Sequence, residues 1–113
     1  MAADFYIKAG DRWPTLDATL TDSDGTAINL TACTVKFVMG TVGGTAKINA
    51  DATVVSAAAG TVRYSWAAGD TTTPGTYHGE FVVTLATALE ITFPSDGYIT
   101  IEIVREVPKP AVA

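Results

Sequence analysis

Apolar and polar residues alternate with a period of two along most of this chain, and this pattern leaves few folds open to it. The clearest run covers residues 77–85, and similar runs occur at 61–66 and 99–104. Because successive side chains of a β-strand point to opposite faces of a sheet, a two-residue period predicts strands with one dry face and one solvated face. We therefore expect an all-β protein.

Turn-forming residues separate these runs at intervals of about ten residues or somewhat more, as in antiparallel sandwiches or barrels. Glycine, proline and aspartate mark the turns because they accept positive φ or fix negative φ. The short alanine run at 56–60 is predicted to be a hairpin tip, since one turn of helix does not form alone. We expect seven to nine strands, some of them edge fragments, among the segments 4–8, 13–21, 27–31, 33–40, 45–49, 52–56, 61–66, 76–86, 88–93 and 98–105.

The length of 113 residues fits one domain. We place a single β-sandwich at residues 1–105, with an N-terminal strand or arm at 1–8. Residues 106–113 carry two prolines, which cannot donate to a β-ladder, so this tail is expected to leave the sheet as an extended arm. The single cysteine, Cys33, forms no internal disulfide and is expected to be a small buried hydrophobe.

Composition argues against several kinds of partner. The net charge is −5, and the seven lysines and arginines are scattered singly, whereas binding to a phosphate backbone needs clustered cations. No apolar stretch is long enough to cross a bilayer, and the N-terminus lacks the basic and apolar regions of a signal peptide. We expect neither a nucleic-acid nor a membrane partner.

Catalytic signals are weak. His78 is the only histidine, and it falls on the polar face of an alternating strand, so a solvated or interface role is favoured over a catalytic one. A Cys33–His78 pair stays open as an alternative. The Asp22–Gly25 segment resembles the start of a calcium loop but lacks the closing glutamate, which favours a tight turn. We expect no enzyme activity, no metal, no cofactor and no small-molecule substrate.

A second constellation predicts the core. Tyr77 follows the Pro74-Gly75 turn at the start of a long strand, as in the tyrosine corner of immunoglobulin-like sandwiches, where the phenol bonds to upstream backbone. Trp66 then supplies the large core aromatic of an antiparallel, immunoglobulin-like β-sandwich. The expected core residues are Trp66, Tyr77, Phe37, Phe81 and Ile101.

The order of these motifs resembles the N-terminal immunoglobulin-like domain of phage baseplate upper proteins. The resemblance covers nearly the whole chain and rests on these segments: Gly10–Pro14, Leu20–Thr31, Val35–Phe37, Gly60–Thr71, Gly75–Tyr77, Glu80-Phe81 and Phe93–Tyr98. It implies a virion component that docks onto the tail tip. The sequence departs from that family in having no helical stalk after the domain, which favours an accessory position elsewhere on the particle.

We therefore expect a non-enzymatic structural protein of a tailed-phage virion, at the tail, baseplate or neck, assembled in the host cytoplasm. Its partners are expected to be other virion proteins and copies of itself. The candidate interface residues lie in the two arms: Phe5, Tyr6, Ile7, Val107, Pro108 and Pro110. Phe5, Tyr6 and Ile7 are consecutive and cannot share one face of a strand, so a partner or the second sheet should cover one or more of them.

Two alternatives stay open. One is a decoration protein of the phage capsid. The other is a carbohydrate- or host-surface-binding module, for which Trp13 and Tyr98, both beside turns, are the best exposed aromatics, although a buried role is favoured for each.

Overall fold

A computed structural model of the chain describes residues 3–22, 24–41, 44, 46–94 and 97–105. The predicted C-terminal arm at 106–113, with the candidate interface residues Val107, Pro108 and Pro110, lies outside the described residues. The described part contains strands and turns but no helix. The strands are β1 (Phe5–Lys8), β2 (Leu16–Thr19), β3 (Thr34–Thr41), β4 (Ala46–Asp51), β5 (Thr53–Ser56), β6 (Thr61–Tyr64), β7 (Gly75–Thr84), β8 (Glu90–Phe93) and β9 (Ile99–Val104).

These strands form two sheets. The larger one has the order β1-β9-β7-β3-β4, with β8 also paired to β7, and the smaller one has the order β2-β6-β5. Strand β7 is long enough to serve two neighbours on one side, because β9 pairs with Gly75–Gly79 and β8 pairs with Phe81–Thr84. Neighbouring strands are antiparallel except for β1 and β9, which run parallel. The protein is thus all-β with two sheets, which is consistent with a β-sandwich.

The core lies between the sheets and is rich in aromatic rings. Phe37 is at its centre: its ring stacks on Tyr64 at 4.7 Å, meets Phe81 at 5.2 Å and meets Trp66 edge-on at 5.9 Å. Offset and edge-on ring pairs of this kind add about 0.5–1.5 kcal/mol each beyond simple burial. The five expected core residues, Trp66, Tyr77, Phe37, Phe81 and Ile101, are at most 3% exposed.

Hydrogen bonds close the core at the end where β7 begins. The Tyr77 hydroxyl donates to the carbonyl of Thr73 at 2.7 Å, which is the bond expected of a tyrosine corner. The buried Trp66 indole N–H donates to the Pro14 carbonyl at 3.0 Å, and the buried Thr71 hydroxyl donates to the Asp11 carbonyl at 2.7 Å. These bonds attach the connection between β1 and β2 to the turn that precedes β7.

Asp22, Asp24 and Gly25 lie in a tight turn, as the sequence predicts, and the Gly25 N–H donates to the Asp22 carbonyl at 3.0 Å. One oxygen of the Asp22 carboxylate accepts hydrogen bonds from the N–H groups of Asp24 and Thr26, at 2.9 and 3.0 Å. Gly25 adopts a φ of 85°, which favours glycine. The alanine run also forms the expected hairpin tip, since β5 and β6 pair on either side of it.

The predicted strand at 27–31 is wrong. Only an isolated bridge from Thr21 to Ala27 forms there. The segment forms no continuous ladder because its N–H groups bond to different parts of the chain, Ile28 to Leu20 and Leu30 to Ala57. The Asn29 side-chain oxygen adds to the interruption, since it accepts hydrogen bonds from both the N–H and the hydroxyl of Thr31, at 3.0 and 2.6 Å. Such local bonds offer the backbone an alternative to a ladder. The segment predicted at 13–21 is also too long, since β2 covers only Leu16–Thr19.

Candidate functional site

The two residues that could have formed a nucleophile–base pair lie far apart. Cys33 precedes Thr34, which pairs with Thr84, whereas His78 pairs with Gly40 at the other end of β3. Six residues of strand separate the two positions, which corresponds to roughly 20 Å at 3.3 Å per residue. Cys33 is half-buried rather than fully buried, and its thiol lies 3.6 Å from the Thr31 carbonyl. A Cys33–His78 pair is therefore wrong.

The described ranges contain no group of three or more His, Cys, Asp or Glu side chains placed to hold a metal ion. Within the same ranges, no helix is long and apolar enough to cross a membrane.

The outer face of the larger sheet carries a candidate interaction surface, which we name the sheet face: Val38, Gly40, Thr41, Gly44, Ala46, His78, Glu80 and Tyr98. These residues line a shallow groove of about 240 Å³. The His78 and Tyr98 rings stack nearly parallel at one side of it, with centroids 4.4 Å apart and an interplanar angle of 11°. Tyr98 is 56% exposed, so the stack presents an open aromatic surface to solvent.

The groove of the sheet face exists because its floor has little side chain. Gly40 and His78 lie opposite each other in the β3–β7 ladder, and Val38 lies opposite Glu80. Gly40 has no side chain, so the surface there is bare backbone, while the stacked rings of His78 and Tyr98 stand above the sheet and form a wall of the groove. The sheet face can therefore receive a protruding side chain or loop of a partner, with Glu80 as its charged member.

A second surface lies where β2 faces β8 and the start of β9, and we name it the edge cleft. Its volume is about 290 Å³, and most of its lining is apolar. The lining residues are Ala18, Thr19, Leu20, Thr21, Asp22, Phe81, Phe93, Pro94 and Ile99. The cleft exists because the smaller sheet ends at β2 while the larger sheet continues to β9 and β1.

The backbone of β2 is paired on one side only among the described residues. Leu20 donates its N–H to Gly60 at 2.8 Å and accepts from Ile28 at 2.9 Å, so its main-chain groups point toward β6. Because main-chain groups alternate along a strand, those of Asp17, Thr19 and Thr21 point away from β6. They form an open edge above the edge cleft.

The N-terminal candidate interface residues have different surroundings. Ile7 is 3% exposed and belongs to the core, and the Phe5 ring lies 5.8 Å from Trp66. The domain therefore covers these two side chains itself. Tyr6 alone of the three is open, at 54% exposure, and its hydroxyl accepts a hydrogen bond from the N–H of Ala3 at 2.9 Å.

The expectation that Trp13 and Tyr98 are buried is wrong. Trp13 is 75% exposed, because the core position beside the β1–β2 connection belongs to Trp66, which bonds to Pro14. Leu89 and Ile91 are also exposed, at 66% and 37%. Ile91 pairs with buried Val83 and shares its face, but the smaller sheet does not reach over it.

Comparison of the chain with protein-family models, with curated proteins and with solved structures finds no match.

Proposed function

We propose that this chain is a non-enzymatic structural subunit of a tailed-phage virion that acts by packing against other virion proteins and copies of itself. The observation that carries the proposal is the sheet face, where an exposed aromatic stack borders a shallow groove that no described strand covers. Surfaces that combine exposed aromatic rings with few charges are typical of protein–protein contacts.

Strand order supports the immunoglobulin-like assignment within the sandwich class. The order β9-β7-β3-β4 facing β2-β6-β5 corresponds to the G-F-C-C′ and B-E-D sheets of variable-type domains. The hydrogen bond from Tyr77 to Thr73 at the start of β7 supports the same assignment. The proposed position on a tail, baseplate or neck depends on the resemblance to baseplate upper proteins described above.

The test is the composition of purified particles. Tailed particles would be isolated from cells expressing the gene, and copies of the chain per particle counted by quantitative mass spectrometry. We expect a fixed copy number that matches the symmetry of one particle component, and a cryo-electron microscopy map would locate it on tail or capsid. Absence of the chain from purified particles would contradict the proposal.

Paired variants link that test to the sheet face. Tyr98→Ser removes the exposed ring of the stack, and Leu89→Ser removes an apolar side chain of similar exposure on the β7–β8 hairpin. An aromatic anchor at the centre of an interface contributes 2 kcal/mol or more, so Tyr98→Ser should lower incorporation by roughly ten-fold or more. The Leu89→Ser control should assemble normally. Equal effects of the two substitutions would exclude the sheet face.

A carbohydrate-binding role is the second candidate, and the exposure of Trp13 and Tyr98 favours it. Exposed aromatic rings can stack on sugars. Trp13 lies in the β1–β2 connection, near the start of the sequence, and Tyr98 lies just before β9, near its end. A glycan array probed with the isolated chain decides this point. Binding that is lost in Trp13→Ala or Tyr98→Ala would replace the packing proposal, and an array without signal would remove the carbohydrate role.

A further inference from the structure

We propose that the edge cleft binds the C-terminal segment 106–113 of a second copy of this chain, added as a strand beside β2. This inference rests on the proposed function, because it names one contact through which copies would assemble. Two independent observations carry it: the open edge of β2 above an apolar cleft, and the spacing of prolines in the segment.

The edge offers three outward-facing backbone positions. Asp17, Thr19 and Thr21 direct their N–H and C=O groups away from β6, whereas the intervening Ala18 and Leu20 direct theirs toward it. An extended segment that adds to such an edge must supply donors and acceptors at every second residue. It must also supply apolar side chains for the cleft below.

The C-terminal segment meets the backbone requirement. Its sequence is Glu-Val-Pro-Lys-Pro-Ala-Val-Ala, so prolines occupy positions 108 and 110. In one register, the main-chain N–H and C=O groups of Val107, Lys109 and Ala111 point toward β2. The nitrogens of Pro108 and Pro110 then point away from β2, where no hydrogen-bond donor is needed. Three donor positions then match the three outward positions of the edge.

The side chains fit the same register. Residues of alternate parity point to opposite faces, so Pro108, Pro110 and Val112 would all point toward the cleft beside Ala18 and Leu20. Lys109 would point to the outer face. That face also carries Asp17, whose half-exposed carboxylate pairs with Arg63, so the one cation of the segment would lie on the same face as a carboxylate.

Lengths agree as well. Eight extended residues span about 26 Å, and residues 16–21 of the edge span about 20 Å. The segment can therefore cover the whole cleft. The cleft itself, at about 290 Å³, has room for the two proline rings and the valine.

Amide hydrogen exchange on the full chain tests the proposal. We expect the amides of Asp17, Thr19 and Thr21 to become at least about ten-fold better protected as protein concentration rises, because a second copy supplies the strand. The matched control is the variant Val107→Pro, Pro108→Val, Lys109→Pro, Pro110→Lys. It keeps composition and charge but moves the prolines to the donor positions, so the added protection should disappear.

Three outcomes would overturn the inference. Protection that does not depend on concentration would place the segment on its own chain rather than on a second copy. Equal protection in the control variant would show that the segment is not the occupant. Particles that contain the chain while these three amides stay unprotected would refute the cleft contact and leave the proposed function standing, whereas absence from particles would refute the proposed function itself.

Discussion

The two halves of β7 have the same alternating pattern but very different surroundings. The half that pairs with β9, Gly75–Gly79, lies under turns held by hydrogen bonds from Tyr77, Trp66 and Thr71. The half that pairs with β8, Phe81–Thr84, has buried side chains of its own but lies beside the open edge cleft and the exposed Ile91.

The difference shows where this fold gains its stability and where it leaves surface for others. Around the first half, aromatic packing and side-chain-to-backbone bonds close the sandwich. Around the second half, the smaller sheet ends at β2, so Ile91 of β8 meets solvent instead of a second sheet. We expect substitutions near the first half to change stability, and substitutions at the cleft to change association.

The largest difference in the free energy of unfolding is expected between Trp66→Ala near the first half of β7 and Ile91→Ala beside the second half. Trp66→Ala removes a 2% exposed ring that contacts Phe5, Phe37 and Tyr64, and should lower the free energy of unfolding by about 3–5 kcal/mol. Ile91→Ala truncates a side chain that is 37% exposed and should cost only about 1.5 kcal/mol. Urea denaturation measures both, and similar losses would contradict the comparison.

Gly79→Ala should have the next largest effect, because the half of β7 that pairs with β9 has no space for a methyl group at this position. A Cβ at position 79 would lie 2.8 Å from Cδ1 of Ile101 and 2.9 Å from Cε1 of Phe37. Overpacking of this kind costs about 1–3 kcal/mol. Combining it with Ile101→Val, which removes the nearer atom, should destabilise the protein less than the two single changes added together. Strict additivity in urea denaturation would argue against the clash.

Removing the tyrosine-corner hydroxyl should have a smaller effect. Tyr77→Phe deletes the donor to the Thr73 carbonyl and should cost about 0.5–1.5 kcal/mol. Tyr98→Phe, which deletes a hydroxyl from an exposed ring of the sheet face, is the matched control and should stay within about 0.5 kcal/mol of the parent. Thermal unfolding measures both variants, and an unaffected Tyr77→Phe would show that the corner bond does not stabilise the fold.

High pH should lower the stability of the fold through the buried side chain of Tyr64. Burial, followed by the hydrogen bond to Asp70 at 2.6 Å and the charge of that carboxylate, raises the pKa of Tyr64 above its ordinary value of 10.0. Above pH 10.0 the unfolded chain loses this proton while the folded chain keeps it, so the free energy of unfolding falls as pH rises. Tyr64→Phe should lack this part of the slope between pH 10 and 11. An unchanged slope would contradict the assignment.

The smallest effect is expected at the surface of the smaller sheet. The Arg63 guanidinium donates two hydrogen bonds to Asp17, at 3.0 and 3.1 Å, and lowers the pKa of that carboxyl below its usual 3.8. The stabilisation is present above pH 3.8 and is lost as pH falls through the lower folded value. Both groups are open to solvent, so Asp17→Asn should shift the acid unfolding midpoint only slightly. An unfolding temperature that falls further in Asp17→Asn than in Tyr77→Phe would contradict this ranking.

The local sequence pattern predicted much of the fold because strand and turn formation depend mainly on residues that are close together in the sequence. The alternation at 77–85 marked β7, and the Asp22–Gly25 turn followed from one carboxylate and one glycine. The strand predicted at 27–31 was wrong because Ile28 and Leu30 bond to different parts of the chain and Thr31 bonds to the side chain of Asn29. That competition depends on the rotamer and backbone adopted, which alternation does not report.

The candidate surfaces were much less predictable. Trp13 and Tyr98 were expected to be buried, yet both are exposed. Exposure depends on which elements cover a side chain, and those elements come from distant parts of the chain. The edge cleft brings Ala18 to Phe93 and Ile99, more than seventy residues along, so no local pattern signals it.

Residue order therefore specified the all-β class, most strand positions and the turns, since a period of two and the φ preferences of glycine, proline and aspartate act within a few residues. Tertiary structure decided the parallel pairing of β1 with β9, the end of the smaller sheet at β2 and the opening of the cleft. The physical reason is that sheet pairing and coverage join segments far apart in sequence, and their outcome depends on how the whole chain closes around one core.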